Sequence, residues 1–339
     1  MTREKQIIKD SYTVLLPAFT ELSLSDTIID YLKKGGCSIL VAETREEYVD
    51  REMSIERKQI ETQDSIKNLV NQAKEIQPNL IVAIDQEIVG INRLHVLSLN
   101  TPNKETLKQI NSTNLELICS EIANDARKMG VNCFLAPTLD IVKGENPWLL
   151  GRTWTTNVDE LVKISAAFVN GVQKSKVIAT AKHFPGFSNI ELDPAININA
   201  LMDAPITDIE ENYLPFKKAS ECGVEMVMVG PAIVEQIDKK NPASISQTVI
   251  QKLREEIGFK GIILSDDLDA KATLRNDSIE EVAIKALKAG CNYLLLSDSE
   301  DHIARVAKEI QKLMKEDDHF YKHVSNSAKN IRILANKYS

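Results

Sequence analysis

Val177-Ile178-Ala179-Thr180-Ala181-Lys182-His183-Phe184-Pro185-Gly186 is the stretch from which this chain is best read. An apolar run leads without a break into a Lys-His pair and then a Pro-Gly turn. Unbroken apolar runs are expected of parallel strands buried on both faces. A polar pair at the end of such a run is what a barrel strand delivers to the barrel's rim.

Seven further runs of the same kind flank it. They are Val14–Pro17, Ser38–Ala42, Leu80–Ile84, Cys133–Ala136, Met226–Val229, Gly261–Leu264 and Tyr293–Leu296. Between most of them lie helical patterns: Ser25–Lys34, Ser65–Ile76, Leu115–Met129, Leu161–Val172, Ile209–Cys222, Ser246–Ile257 and Ile279–Ala289. Ser65–Ile76 puts Ile66, Leu69, Val70, Ala73 and Ile76 on one face. Ser246 is a serine cap, and Gly130, Gly258 and Gly290 are glycine stops. An open doubly wound sheet alternates in the same way, but eight strands in one chain of 339 residues match closure. The expectation is an α/β protein, a single (β/α)8 TIM barrel over residues 1–300, with C-terminal helices from 301 to 339 packed on it.

Composition narrows the function. A net charge of −8 argues against a nucleic-acid partner. No apolar run approaches the roughly 20 residues that span a bilayer. Met1–Asp10 is charged and lacks the apolar centre of a signal peptide, which leads to the expectation of a cytoplasmic protein. The expected partner is a small-molecule sugar, and the expected assembly is a monomer or weak homo-oligomer. The five cysteines are scattered and read as buried free thiols. No cofactor and no metal are expected. A carboxylate-only magnesium site at Asp266 and Asp267 is disfavoured, because neighbours on a strand point to opposite faces.

Barrel chemistry gathers just beyond the strands' carboxyl ends. There the chain carries Asp85-Gln86-Glu87, then Asp140, Lys182-His183, Ser265-Asp266-Asp267 and Ser297-Asp298. Arg93 and Arg152 lie in the connections after the third and fourth strands. Carboxylates with a few cations suit sugar hydroxyls. A carboxylate at a strand end also serves as a nucleophile toward an anomeric carbon. Asp85, Lys182, His183 and Asp266 read together as functional. Asp140 and Asp298 read as helix caps or first-turn charges.

These residues resemble the signature of glycoside hydrolase family 3, in its bacterial β-N-acetylglucosaminidase-like branch. The likeness runs in order through Ile84-Asp85-Gln86-Glu87 with Arg93, Ala136–Asp140, Asn146-Pro147 with Gly151-Arg152, Lys182–Gly186 with Asp193, Leu214-Pro215-Phe216, Pro242-Ala243-Ser244, and Gly258–Leu268. It implies a retaining hydrolysis of an N-acetylglucosamine-like glycoside with Asp266 as nucleophile. Asp85, Arg93, Arg152, Lys182 and His183 would hold the sugar. In this branch a histidine paired with an aspartate is the acid/base. The aspartate would be Asp193, and the histidine position is Ala195.

An alanine moves no proton, so Glu191, Asp193 and His95 are the candidates to replace it. Other departures are Ile88-Val89-Gly90, Phe187-Ser188 and Ile233, where the family has Gly-Gly-Arg, His-Gly and histidine. They imply a changed leaving-group side. Three readings follow: a glycosidase with an altered acid/base loop, a sugar-binding protein on the same scaffold, or glycosyl transfer to an acceptor such as phosphate.

Overall fold

Eight parallel strands close a barrel: β1 (Leu15–Phe19), β2 (Ser38–Val41), β3 (Ile81–Ile84), β4 (Cys133–Phe134), β5 (Ile178–Phe184), β6 (Met226–Val229), β7 (Ile262–Asp267) and β8 (Tyr293–Leu296). The structure is a computed structural model that describes residues 2–99, 104–297 and 300–339. Closure comes from β1, which pairs in parallel with both β8 (Leu15 opposite Leu294) and β2 (Ala18 opposite Leu40). The strand residues are buried throughout except at the end of β7, where Asp266 and Asp267 are half-buried. That double-sided burial is the reason the runs carry no polar alternation.

Helices follow the strands, and their ends show why the chain turns where it does. Ser25 Oγ accepts from Ile28 N at the start of Asp26–Lys33. Ser246 Oγ accepts from Val249 N at the start of Gln247–Glu255. Gly290 ends Ile279–Ala289 at φ +116°, a conformation a side chain would strain. The C-terminal helices Asp301–Glu316 and Asp318–Tyr338 pack on each other and on an N-terminal helix, Arg3–Thr13. Arg332 Nη1 donates to Asp10 Oδ1 at 2.8 Å and to Thr13 Oγ1 at 3.1 Å across that contact.

Three short strands outside the barrel, Leu201–Met202, Ile233–Val234 and Asp238–Pro242, form a small sheet from the connections after β5 and β6. Among the described residues no helix is long and apolar enough to cross a membrane.

Candidate active site

A cavity of about 550 Å³ opens where the barrel strands end. Asp85, Arg152, Lys182, His183, Asp266 and Asp267 line it, and they come from three strand ends, those of β3, β5 and β7, and from the long connection after β4. The volume suits a small molecule.

At the end of β5 both Lys182 and His183 reach the cavity, although neighbours on a regular strand point apart. The ladder from β5 to β6 shifts register between Ala181 and Phe184, and such a bulge re-aims side chains. The turn that follows needs Gly186. It sits at φ +96°, and a Cβ there would lie 2.4 Å from Asn212 Cβ.

Lys182 Nζ lies 2.6 Å from Asp85 Oδ1 and 2.8 Å from Glu87 Oε1. Arg152 Nη2 donates to Glu87 Oε1 at 2.6 Å. Burial raises the Glu87 carboxyl, but the Arg152 and Lys182 charges outweigh it and hold it well below the usual range. Burial lowers the Lys182 ammonium, but Asp85 and Glu87 more than reverse that and keep it charged. Glu87 is fully buried, so two cations are fixed over an anchored carboxylate. Gly90 allows this packing, since a Cβ there would come within 2.1 Å of Glu87 Oε2.

His183 is oriented from below. Asp140 Oδ2 lies 2.9 Å from Nδ1 and also accepts the His183 backbone N–H at 3.2 Å. A carboxylate partner keeps the proton on Nδ1 and turns Nε2 outward. Trp148 packs on the ring with centroids 4.5 Å apart. Asp140 is therefore no helix cap, contrary to the sequence reading. It is buried and sets the histidine's direction, which only the neighbouring of β4 and β5 reveals.

Asp266 ends β7. Its Oδ1 accepts the Asp267 N–H at 2.7 Å, and its Oδ2 has no hydrogen-bond partner among the described residues. That free oxygen lies 4.0 Å from His183 Nε2. Asp267 also lines the cavity, because the ladder to β8 shifts register between Leu264 and Asp267. The expectation that the two aspartates point apart is corrected. Burial, then the charge of Asp269, pushes the Asp267 carboxyl up to about 7. Its oxygens accept from Ser297 Oγ and Asp269 N.

Other expected residues lie elsewhere. Arg93 is fully buried and does not line the cavity. Its Nη1 and Nη2 each donate to Glu61 at 2.8 Å, and its Nε donates to Ala42 O at 2.9 Å. The chain turns it away because Arg93 N bonds back to Asp85 O, closing a tight loop over Asn92. His95 lies with it, 3.9 Å from Glu61. Glu191 is exposed, and neither it nor Asp193 lines the cavity. Asp193 Oδ1 instead accepts the Ala195 N–H at 2.8 Å.

Ala195 does line the cavity, and the backbone of its loop is pinned through Lys271 N to Ala195 O and Ala272 N to Pro194 O. Phe187 is buried against Trp148, and Ile233 is in the small sheet. Of the departures from the family pattern, Ala195 alone faces the cavity. Asp298 lies outside the described residues.

Glu43, Tyr48 and Trp148 line the cavity and were not singled out from the sequence. Glu43 stands two residues past β2, where the strand-end rule that found Asp85 also applies. Tyr48 Oη accepts from Arg152 Nη1 at 2.7 Å and from Trp148 Nε1 at 2.8 Å, which steadies the arginine. Nothing in a linear pattern marks that three-way contact.

The arrangement puts a carboxylate oxygen without a hydrogen-bond partner among the described residues 4.0 Å from His183 Nε2, at a cavity that Lys182 and Arg152 also line. The family model described as the glycosyl hydrolase family 3 N-terminal domain matches residues 23–333. A beta-hexosaminidase of Nitrosomonas eutropha is 30% identical over 243 residues, 69% of each chain. One from Neisseria meningitidis serogroup B is 26% identical over 269 residues, 75% of this chain and 73% of the relative. In fold, the crystal structure of the beta-N-acetylhexosaminidase from Beutenbergia cavernae superposes with a TM-score of 0.85 at 19% identity. It covers 97% of this chain and 98% of the other.

Proposed function

This chain belongs to glycosyl hydrolase family 3, and from that premise and the cavity's geometry we infer that it is a retaining glycosidase of the β-N-acetylhexosaminidase type. Asp266 is the nucleophile. The observation that carries this reading is its Oδ2, which has no hydrogen-bond partner among the described residues and lies 4.0 Å from His183 Nε2, on a residue that lines the cavity with Lys182 and His183. In the first step that oxygen bonds to the anomeric carbon as the bond to the leaving oxygen breaks. In the second, water attacks the same carbon and Asp266 is released.

Asp85, Arg152, Lys182 and His183 hold the sugar. The pairing of Lys182 and Arg152 with Glu87 supports this role, because it fixes their remaining N–H donors before any ligand arrives. We take residues 1–300 as the catalytic barrel and 301–339 as helices packed on it.

The test is Asp266→Asn with an activated aryl N-acetyl-β-glucosaminide. Turnover should fall by about 10³-fold or more while sugar binding, read by calorimetry, persists. Equal turnover in the two proteins would remove the assignment. Sugar binding without turnover in the unaltered protein would leave a binding protein on the enzyme scaffold.

One observation favours a second reading of the deglycosylation step. The cavity wall carries a methyl group at Ala195, and no titratable side chain of the 188–198 loop lines the cavity. An anionic acceptor such as phosphate needs no base to attack the glycosyl-enzyme. Faster turnover with added phosphate, with a glycosyl phosphate as product, would select transfer over hydrolysis.

A further inference from the structure

We propose that Glu43 is a further glycone contact, completing with the sugar-holding Asp85 a two-carboxyl clamp on a free hydroxyl at the sugar edge opposite the anomeric carbon and sharpening selection for glycones with an unsubstituted, uncharged hydroxyl there. The proposal rests on Asp266 being the group that meets the anomeric carbon.

The barrel's order supplies the first argument. β2 and β3 are neighbours, so Glu43 and Asp85 stand side by side at the mouth. β7, which carries Asp266, lies three strands from β2 through β1 and β8. Asp85 follows β3, which lies four strands from β7 and so directly across the eight-stranded barrel, and Asp266 therefore stands across the mouth from the side that carries Asp85 and Glu43. In a pyranose the ring carbon across from C1 is C4. A ring with C1 at Asp266 turns its C4 edge toward Glu43 and Asp85.

Hydrogen bonding supplies the second. Glu43 Oε2 is shielded from solvent and has no hydrogen-bond partner among the described residues. Two of the nearby cations are already engaged. Lys182 is shared between Asp85 and Glu87, and Arg93 is locked on Glu61. A buried polar atom without a partner is costly, and a ligand hydroxyl is the partner the cavity can admit. A sugar hydroxyl accepts and donates at once. It can accept from a protonated Glu43 while donating to the Asp85 carboxylate.

The electrostatics agree with that division of roles. Burial, then the charge of Asp85, pushes the Glu43 carboxyl up to about 8, against the pull of Lys182 and Arg93. Arg152, His183, Asp266, Asp267, Asp269 and Lys271 line the cavity beyond it, and Arg45, which also lines it, opens the helix Arg45–Asp50 with its guanidinium over the Tyr48 ring. On the β1 side the lining residues are Ala18, Phe19 and Thr20, which do not titrate. Near neutrality Glu43 is a donor. Above about pH 8 it becomes a second anion beside Asp85 and repels both the hydroxyl's lone pairs and any anionic substituent.

The experiment compares N-acetylglucosamine with its 4-deoxy analogue by calorimetry, and the matching 4-nitrophenyl glycosides by KM, from pH 6 to 9.5. It uses the unaltered protein, Glu43→Gln and Glu43→Ala. The unaltered protein should prefer the 4-hydroxy sugar by about 10²-fold at pH 6.5. That preference should collapse as the pH passes about 8. Glu43→Gln keeps a donor that does not titrate, so it should retain most of the preference and flatten the pH dependence. Glu43→Ala should lose at least tenfold of it.

An unchanged preference in Glu43→Ala, or a pH dependence that survives in Glu43→Gln, overturns the clamp. So does a folded protein that binds neither sugar. Calorimetry reads the clamp whether or not turnover occurs, so discrimination without catalysis would strike the glycosidase reading alone.

Discussion

Replacing Ala195 with histidine restores an imidazole at the one departure from the family pattern that faces the cavity. The loop's geometry determines how much this should do. Asp193 Oδ1 holds the Ala195 N–H at 2.8 Å, and Pro194 O and Ala195 O are held by Ala272 N and Lys271 N at 2.9 and 3.2 Å. The backbone is therefore pinned with residue 195 on the cavity wall. An added imidazole projects into the cavity, and Asp193 Oδ2 remains to orient it.

A well-placed general acid contributes about 10²–10⁴-fold, or about 3 to 5 kcal/mol of barrier. A loop shaped around alanine should realise the lower end, about 10²-fold. The gain must depend on the leaving group. A dinitrophenolate departs without a proton, whereas an unsubstituted phenol, with a pKa of about 10, needs one.

The assay is kcat/KM for aryl N-acetyl-β-glucosaminides across that range, for both proteins. The unaltered protein should slow steeply as the leaving group becomes more basic. Ala195→His should match it on dinitrophenyl substrates and exceed it by about 10²-fold on phenyl or alkyl ones. Its pH profile should also gain a falling limb as the imidazole loses its proton. A gain equal for all leaving groups, or none on the poor ones in a folded variant, would refute the reasoning.

Two further outcomes follow from the charge pairs. Arg93→Ala strips a bidentate partner from Glu61, which is buried and is then left with Arg57 at 2.5 Å and the more distant His95. It should cost about 3–5 kcal/mol in urea unfolding, with KM for the glycone unchanged because Arg93 lies off the cavity. A raised KM with intact stability would return Arg93 to the binding set. For pH, burial raises Glu47, Glu61 and Glu87, but Arg57, Arg93 and Arg152 respectively, with further partners, outweigh it and hold all three below their ordinary values. Their stabilisation is complete above about pH 5 and is lost as the pH falls. Glu43 and Asp267 are raised, so their contribution is greatest below about pH 4 and is lost as the pH rises to about 8. The urea midpoint should therefore peak in mildly acidic solution and fall on both sides. A midpoint still rising between pH 6 and 9 would contradict these shifts.

The barrel was legible because each of its strands is buried on both faces, which writes itself as an unbroken apolar run. Helix ends were legible where caps are local, as at Ser25, Ser246 and Gly290. The helix Arg3–Thr13 was not, because its face is completed by Arg332 from the far end of the chain. The small sheet was not, because two of its strands are two residues long.

At the site, the strand-end rule found Asp85, Lys182, His183 and Asp266, and applied to β2 it would also have found Glu43. It could not tell Arg93 from Arg152. Both follow strand ends, but one is folded back onto Glu61 and the other crosses to Glu87, and those partners lie 32 and 65 residues away. Asp140 was misread for the same reason, since its partner arrives on the next strand.

The central claim is that Asp266 bonds to the anomeric carbon. It is tested most directly by incubating the protein with a fluorinated, activated N-acetylglucosaminide and mapping the adduct by peptide mass spectrometry. The account predicts one sugar on the peptide that contains Asp266, and none in Asp266→Asn. A sugar on another carboxylate, or steady turnover with no adduct on Asp266, would contradict it.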